Sequence, residues 1–314
     1  MSAGVMRAAS SRTDRNARVD LHARIAERLE PAVEPAIRTF AERLAHEAGA
    51  LAVLFYGSNL RTGSLDGVLD FYILMPGEER AAIWPAIAYR ECDRDGETLR
   101  AKVAIMSLST FEEACAGGTI DTTIWTRFVQ PSALVWVREA DAQRRVIAAL
   151  GDAAVTAARL AATLGPPSGT ERDFWRALFR ATYEAEFRIE SSIRPDTILD
   201  QNWEHFDGLL PLALAAGGFP VRDIEGRIAP DIAPRKARAI RRWWKRRARL
   251  GKPLNLLRLG KASTTFDGAA RYAAWKIARH TGLEIEVTPF REKYPLLAAP
   301  AVWWAIRTRR RKTG

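Results

Sequence analysis

The sequence predicts an α+β protein, a mixed sheet with flanking helices followed by a mainly helical second domain. Three observations predict it. Residues 51–75 (LAVLFYGSNLRTGSLDGVLDFYILM) hold two apolar runs of strand length on either side of a Gly-Ser turn and a short loop. Residues 99–108 (LRAKVAIMSL) make a third such run. From residue 138 onward apolar residues recur at helical spacing, with one strong break at GPPSG, 165–169. The expected organisation is a sheet-containing domain at 1–164, a mainly helical region at 170–290 that a winged helix would fit, and a basic amphipathic segment at 291–314.

Taken in order, residues 19–50 carry apolar positions at helical spacing, interrupted by Pro31 and Pro35 and ended by Gly49, so two helices precede the first strand. That strand takes Leu51, Val53, Leu54 and Phe55 and stops at Tyr56-Gly57-Ser58. The second carries Asp70 near its start, among Leu69, Phe71, Tyr72 and Ile73. Residues 81–90 read as a helix, and 99–108 as a third strand with Lys102 near its start. A helix is expected over 110–117, with Ser109 or Thr110 as cap and Glu112 and Glu113 in the first turn, where the helix dipole favours anions. Residues 122–137 (TTIWTRFVQPSALVWV) combine an arginine with aromatics and a proline break, and 138–164 is helical. Beyond the linker, 174–189 and 200–214 are helical, and 235–250 (RKARAIRRWWKRRARL) is a very basic helix with Trp243 and Trp244. A Thr-Thr-Phe-Asp-Gly turn then precedes a helix with Tyr272, Trp275 and Ile277 near one face. An apolar dozen, 295–306, is followed by RTRRRKTG.

With 314 residues, 47% of them hydrophobic, the chain can build a real core, which excludes disorder of the whole. A formal net charge of +11 implies an anionic partner: nucleotide, nucleic acid or an acidic membrane surface. Cys92 and Cys115 have no metal-ligand spacing, so a reducing compartment is expected and zinc is not. The N-terminal stretch lacks the apolar centre of a secretory signal, and no uninterrupted apolar run reaches spanning length. The protein is therefore expected to be cytoplasmic, or peripheral on the inner face of a membrane.

The chemistry concentrates at the Gly-Ser turn. Gly57 lets the backbone come close to a triphosphate, Ser58 and the N–H groups of the turn can donate to its oxygens, and Asp70 can hold a magnesium ion that bridges them. The twelve residues from Ser58 to Asp70 resemble the hG[GS]…D pattern of the nucleotidyltransferase superfamily. The usual second carboxylate two residues on is replaced by Tyr72, which leaves Asp66 in the loop as the nearest substitute metal ligand. The plainer reading of the same residues is a β-hairpin with an acidic residue at its mouth.

In their order along the chain, Tyr56-Gly57-Ser58, Leu69-Asp70-Phe71, Lys102-Val103-Ala104-Ile105, then Trp125, Arg127 and Gln130-Pro131, and last Lys261-Ala262-Ser263 through Tyr272, resemble the mitochondrial Tam-type CTP:phosphatidate cytidylyltransferases and their bacterial relatives. Gln130 stands where that family has lysine. The resemblance implies a nucleotidyltransferase-like sheet and synthesis of CDP-diacylglycerol and pyrophosphate from CTP and phosphatidic acid, with Mg2+, at an anionic membrane surface. It implies Asp70, Lys102 and Lys261 as catalytic residues and Tyr56, Gly57, Ser58, Arg127 and Ser263 as nucleotide contacts. The attacking phosphate is already an anion, so positioning and charge neutralisation supply most of the catalysis and no strong general base is required. Two alternatives stand beside it: a nucleotidyltransferase acting on RNA or on a small molecule such as an aminoglycoside, and an inactive binding module for membrane or nucleic acid. Nucleic acid is the less expected partner, because the apolar dozen at 295–306 suits a bilayer surface.

Overall fold

In the computed structural model the described residues are 3–79, 84–94, 96–185, 195–265, 268–281 and 286–289. Helices α1 (Ala3–Arg28) and α2 (Pro35–Ala48) lead into β1 (Ala52–Tyr56), the short helix α3 (Ser58–Thr62) and β2 (Leu69–Met75). Next come β3 (Ala86–Arg94), β4 (Glu97–Ser107), α4 (Leu108–Cys115), α5 (Thr123–Phe128), β5 (Ser132–Val137) and α6 (Ala140–Leu164). The remainder is α7 (Glu171–Ala185), α8 (Pro195–Gln201), α9 (Trp203–Phe206), α10 (Leu209–Ala216), β6 (Val221–Ile224), β7 (Arg227–Pro230), α11 (Pro234–Thr265) and α12 (Ala269–Thr281).

Five strands form one mixed sheet in the order β3-β4-β2-β1-β5, with β2 and β4 parallel and the other pairs antiparallel. Both faces are covered, so the central strands read as nearly continuous apolar runs rather than as an alternation. On one face Val53, Phe55, Phe71, Ile73 and Val103 pack with Phe40 and Leu44 of α2. On the other, Leu54, Tyr56, Tyr72, Leu74 and Met106 join a larger cluster with α4, α5, α6, α7 and α10. That cluster draws on both sides of GPPSG, since Phe174, Trp175, Phe206 and Leu210 belong to it together with Leu54. Gly169 also pairs with Ile228, its N–H donating to the Ile228 carbonyl at 3.0 Å and its carbonyl accepting at 2.8 Å.

The expected helix over 81–90 is instead strand from Ala86 onward, paired along its length with β4. An open strand edge on β4 satisfies every second backbone group of β3, and that tertiary pairing outweighs local helical spacing. The cap of α4 is Ser107, whose hydroxyl oxygen accepts from the Thr110 N–H at 3.1 Å, and not Ser109 or Thr110. Glu112 thereby falls beyond the first turn and pairs with Arg145 of α6 at 2.8 Å. Two further elements carry no clear periodicity: β5 after Pro131, and the β6–β7 hairpin, whose turn holds Glu225 and Gly226 at φ 55° and 75°. Helix α1 begins at Ala3, within the polar lead, and α11 runs for 32 residues, past the expected end at 250.

Among the described residues one helix, α6, is long and apolar enough to cross a membrane by length and composition, although its apolarity comes from alanines interspersed with charges. Of its most apolar window 72% is buried inside the protein, as befits a core helix. The C-terminal segment 291–314 and residues 266–267 of the expected turn lie outside the described residues.

Candidate active site

A row of polar side chains crosses the sheet at the C-terminal end of β1. Ser132, Tyr56, Asp70, Lys102 and Tyr89 stand in register on β5, β1, β2, β4 and β3. Alternation along β2 puts Asp70 on the same face as Tyr72, two residues further in. Tyr72 is 4% exposed and sits among Tyr56, Phe111 and Phe128 at ring separations of 5.7, 6.4 and 5.0 Å. An aspartate at that position would be an unpaired charge within an aromatic cluster, so the buried position two residues after Asp70 is unsuited to a second carboxylate.

Gly57 closes β1 with φ 91° and ψ −163°, a conformation open essentially to glycine alone. A methyl group there would lie 3.0 Å from Asp70 Oδ2, so the turn and the carboxylate are packed directly on one another. Helix α3 follows without a side-chain cap, and the N–H groups of its first turn have no intrahelical acceptor. The loop behind it is closed by Asn59, 7% exposed, whose amide donates to the carbonyls of Ser64 at 2.9 Å and Asp66 at 2.8 Å.

Arg127 comes from α5, which Asp121 anchors at its start by accepting from the Thr123 N–H at 3.0 Å. Its guanidinium lies 4.9 Å above the Tyr56 ring and donates to the phenol. Burial pushes the Tyr56 phenol up to about 12 in spite of the arginine, so Tyr56 stays neutral. Burial also raises the Asp70 carboxyl above its ordinary value, with the charges of Lys102 and Arg127 opposing the rise. A desolvated carboxylate with a cation on either side is poised to gain from a metal or from a further cation.

These groups open onto a cleft of about 820 Å³. Tyr56, Gly57, Ser58, Asp70 and Arg127, expected together from the sequence, all line it. Lys102 is exposed one strand away, close enough for its charge to act on Asp70. Asp66 is exposed in the loop beside the turn and does not line the cleft. Lys261 and Ser263 lie on the last turns of α11, and their side chains are outside the described set.

The opposite wall could not be read from the sequence. It consists of the end of α1 and the α7–α9 segment: Arg28, Tyr183, Gln201, Asn202, Glu204 and His205. Arg28 pairs with Glu204 at 2.7 Å, and Arg24 donates to the carbonyls of His205 and Asp207 at 3.0 and 2.6 Å. His205 Nε2–H donates to the Val129 carbonyl at 2.9 Å, tying this wall to the α5–β5 connection. Burial lowers the His205 pKa to about 4, so the ring is neutral. Only the polar run QNWEHFD at 201–207 hints at it, and nothing local links that run to a turn some 145 positions earlier.

Among the described residues no three His, Cys, Asp or Glu side chains form a metal-sized group. Asp70 beside the phosphate-type turn does fit one partner of a magnesium ion, which characteristically binds one or two carboxylates and takes its other ligands from substrate phosphates and water. No protein-family model matches the chain, and no curated protein is significantly similar to it in sequence.

Proposed function

We propose that the protein is a magnesium-dependent nucleotidyltransferase that transfers a cytidylyl group from CTP to phosphatidic acid, forming CDP-diacylglycerol and pyrophosphate at the cytoplasmic face of a membrane, to which it binds peripherally. One observation carries the reading: the glycine turn after β1 rests against the carboxylate of β2, with an arginine over the tyrosine of the same turn, all at one side of a large cleft. The sheet supports a nucleotidyltransferase-like core, with the turn strand antiparallel to the carboxylate strand and the latter parallel to the lysine strand.

In this reading the free N–H groups of the turn and the Ser58 hydroxyl donate to the triphosphate, and Arg127 and Lys102 offset the repulsion between two polyanions. Asp70 would hold the magnesium, which when bound neutralises phosphate charge and orients the α-phosphate. An oxygen of the phosphatidate phosphate bonds to the α-phosphorus, the bond to the β-phosphate oxygen breaks, and pyrophosphate leaves. The raised affinity of Asp70 for a proton does not conflict with this role, because a bound cation restores the ionised form. Lys261 and Ser263, at the end of α11, are proposed as further phosphate contacts by resemblance. The segment after the linker, α7 to α12, is proposed as a helical second domain that completes the cleft.

A second reading is favoured by Glu27, an exposed carboxylate on the far wall, where a small polycationic acceptor such as an aminoglycoside would find a partner, whereas Glu204 beside it is already paired with Arg28. RNA is disfavoured as acceptor because Trp243 and Trp244, the bases' natural platforms on the basic helix, are turned into the protein against Trp125 at 6.1 and 6.3 Å. Pyrophosphate release measured with each NTP, against phosphatidate vesicles, an aminoglycoside or neither, separates these readings. Release dependent on CTP and phosphatidate supports the first, release dependent on the aminoglycoside supports the second, and nucleotide binding without release marks an inactive binding module.

A further inference from the structure

Helix α11 carries two unlike faces. Ile240, Trp244 and Arg247 are buried, and Trp243 and Arg247 donate to the Gly117 carbonyl at 3.1 and 2.8 Å, so this side is fixed to the protein. On the other side Arg238, Arg242, Lys245, Arg249, Lys252 and Leu256, spaced alternately by four and three residues, fall in a single exposed line. Leu256 and its neighbour Leu257 are 65% and 59% exposed. A line of cations that ends in exposed leucines is costly in water and self-repelling, and it calls for an anionic partner with an apolar interior.

We infer that this face of α11 docks the protein on an anionic phospholipid bilayer, the arginines and lysines at the headgroups and Leu256 and Leu257 in the acyl boundary. The inference rests on the proposed function only for the class of surface; neither the site nor the evidence for it is shared with the cleft. Phosphates of a nucleic acid would satisfy the cations but not the leucines, and the helix has its tryptophans engaged elsewhere. The placement is consistent with delivery of a lipid. At Gly251, just before the last cation of that line, α11 crosses the end of α7 so closely that an added methyl would meet the Ala185 carbonyl at 2.5 Å. Tyr183, two residues before that carbonyl, lines the cleft.

The test is co-sedimentation of the full chain with phosphatidylcholine vesicles, with and without phosphatidylglycerol, at low and high salt and without nucleotide. Phosphatidylglycerol has no terminal phosphate to act as acceptor, so the result is independent of whether CTP is ever used. The protein is expected to sediment only with the anionic vesicles and to lose binding as salt rises. The double variant Arg242→Gln with Arg249→Gln should bind roughly 25-fold more weakly, about fivefold per charge. Leu256→Ser with Leu257→Ser should weaken binding about tenfold at low salt. Both pairs are exposed, so thermal unfolding should be unchanged in either variant and certifies the fold. Anionic vesicles that bind both variants as well as the parent overturn the proposal, as does a Trp303→Ser, Trp304→Ser variant that alone loses all binding. Binding to single-stranded RNA with none to vesicles overturns it in favour of a nucleic-acid surface.

Discussion

Gly57→Ala tests the central contact of the site, because the structure lets its cost be worked in two parts. The first part is conformational. With φ 91° and ψ −163°, any residue bearing a Cβ is strained by about 1–3 kcal/mol. In a chain of this length each kcal/mol lowers Tm by about 2 °C, so a fall of roughly 2–6 °C is expected. The second part is local. The new methyl would sit 3.0 Å from Asp70 Oδ2, a few tenths of an ångström inside ordinary contact, and the carboxylate must swing away. Displacement on that scale should lower magnesium-dependent turnover by about tenfold or more, beyond anything the stability loss explains at assay temperature. Gly63→Ala is the control. Gly63 is also left-handed, at φ 68° and ψ 2°, but a methyl there meets nothing within 4 Å. It should cost about 1–2 kcal/mol in unfolding measurements and leave kinetics alone. Differential scanning calorimetry and pyrophosphate release on both variants decide the matter. A Gly57→Ala variant with the parent's Tm and rate would refute the close packing of turn on carboxylate.

Three other expectations follow from the same geometry. Asp70→Asn should abolish magnesium-dependent turnover and raise Tm at neutral pH. Because burial raises the folded carboxyl pKa above its unfolded value, the ionised form costs stability above that range, and the gain should vanish as pH falls below the ordinary carboxylate value; an unchanged rate removes Asp70 from the metal site. His205 is held neutral with a pKa of about 4 against 6.5 in the unfolded chain. Its contribution is whole above about pH 6.5 and is lost as pH falls toward 4, by roughly 3 kcal/mol, and urea titrations of His205→Gln should show a flatter dependence in that window. Arg127→Ala should raise KM for nucleotide about tenfold or more through loss of a charge-assisted contact of roughly 1.5–3 kcal/mol. Lys102→Ala, exposed and one strand removed, should have the smaller effect, and the reverse order would place the phosphates over β4 instead of the turn.

The sequence by itself determined that the fold is a mixed sheet with flanking helices and that Tyr56, Gly57, Ser58 and Asp70 come together, for a local reason. Tyr56, Gly57, Ser58 and Asp70 belong to one hairpin-like stretch whose apolar runs, glycine and spacing of twelve are all written within 25 residues. The distance from turn to carboxylate is then set by strand pairing of nearest neighbours, Tyr56 against Asp70. Arg127 entered as a candidate only through the resemblance carried by Trp125, Arg127 and Gln130-Pro131, and the structure puts it on the wall of the same cleft. What only the tertiary structure decided was everything that depends on distant partners. Residues 86–94 became a strand because β4 offered an edge, and Tyr72 is accommodated because its side of the sheet faces Phe111 and Phe128. The tryptophans of the basic helix, suited in isolation to stacking on bases, were taken up by Trp125 and the Gly117 carbonyl, which left cations and leucines outward. The far wall of the cleft was set by Arg24 and Arg28 reaching across to α9, bonds that span 176 to 183 positions of chain and leave no trace in any local pattern.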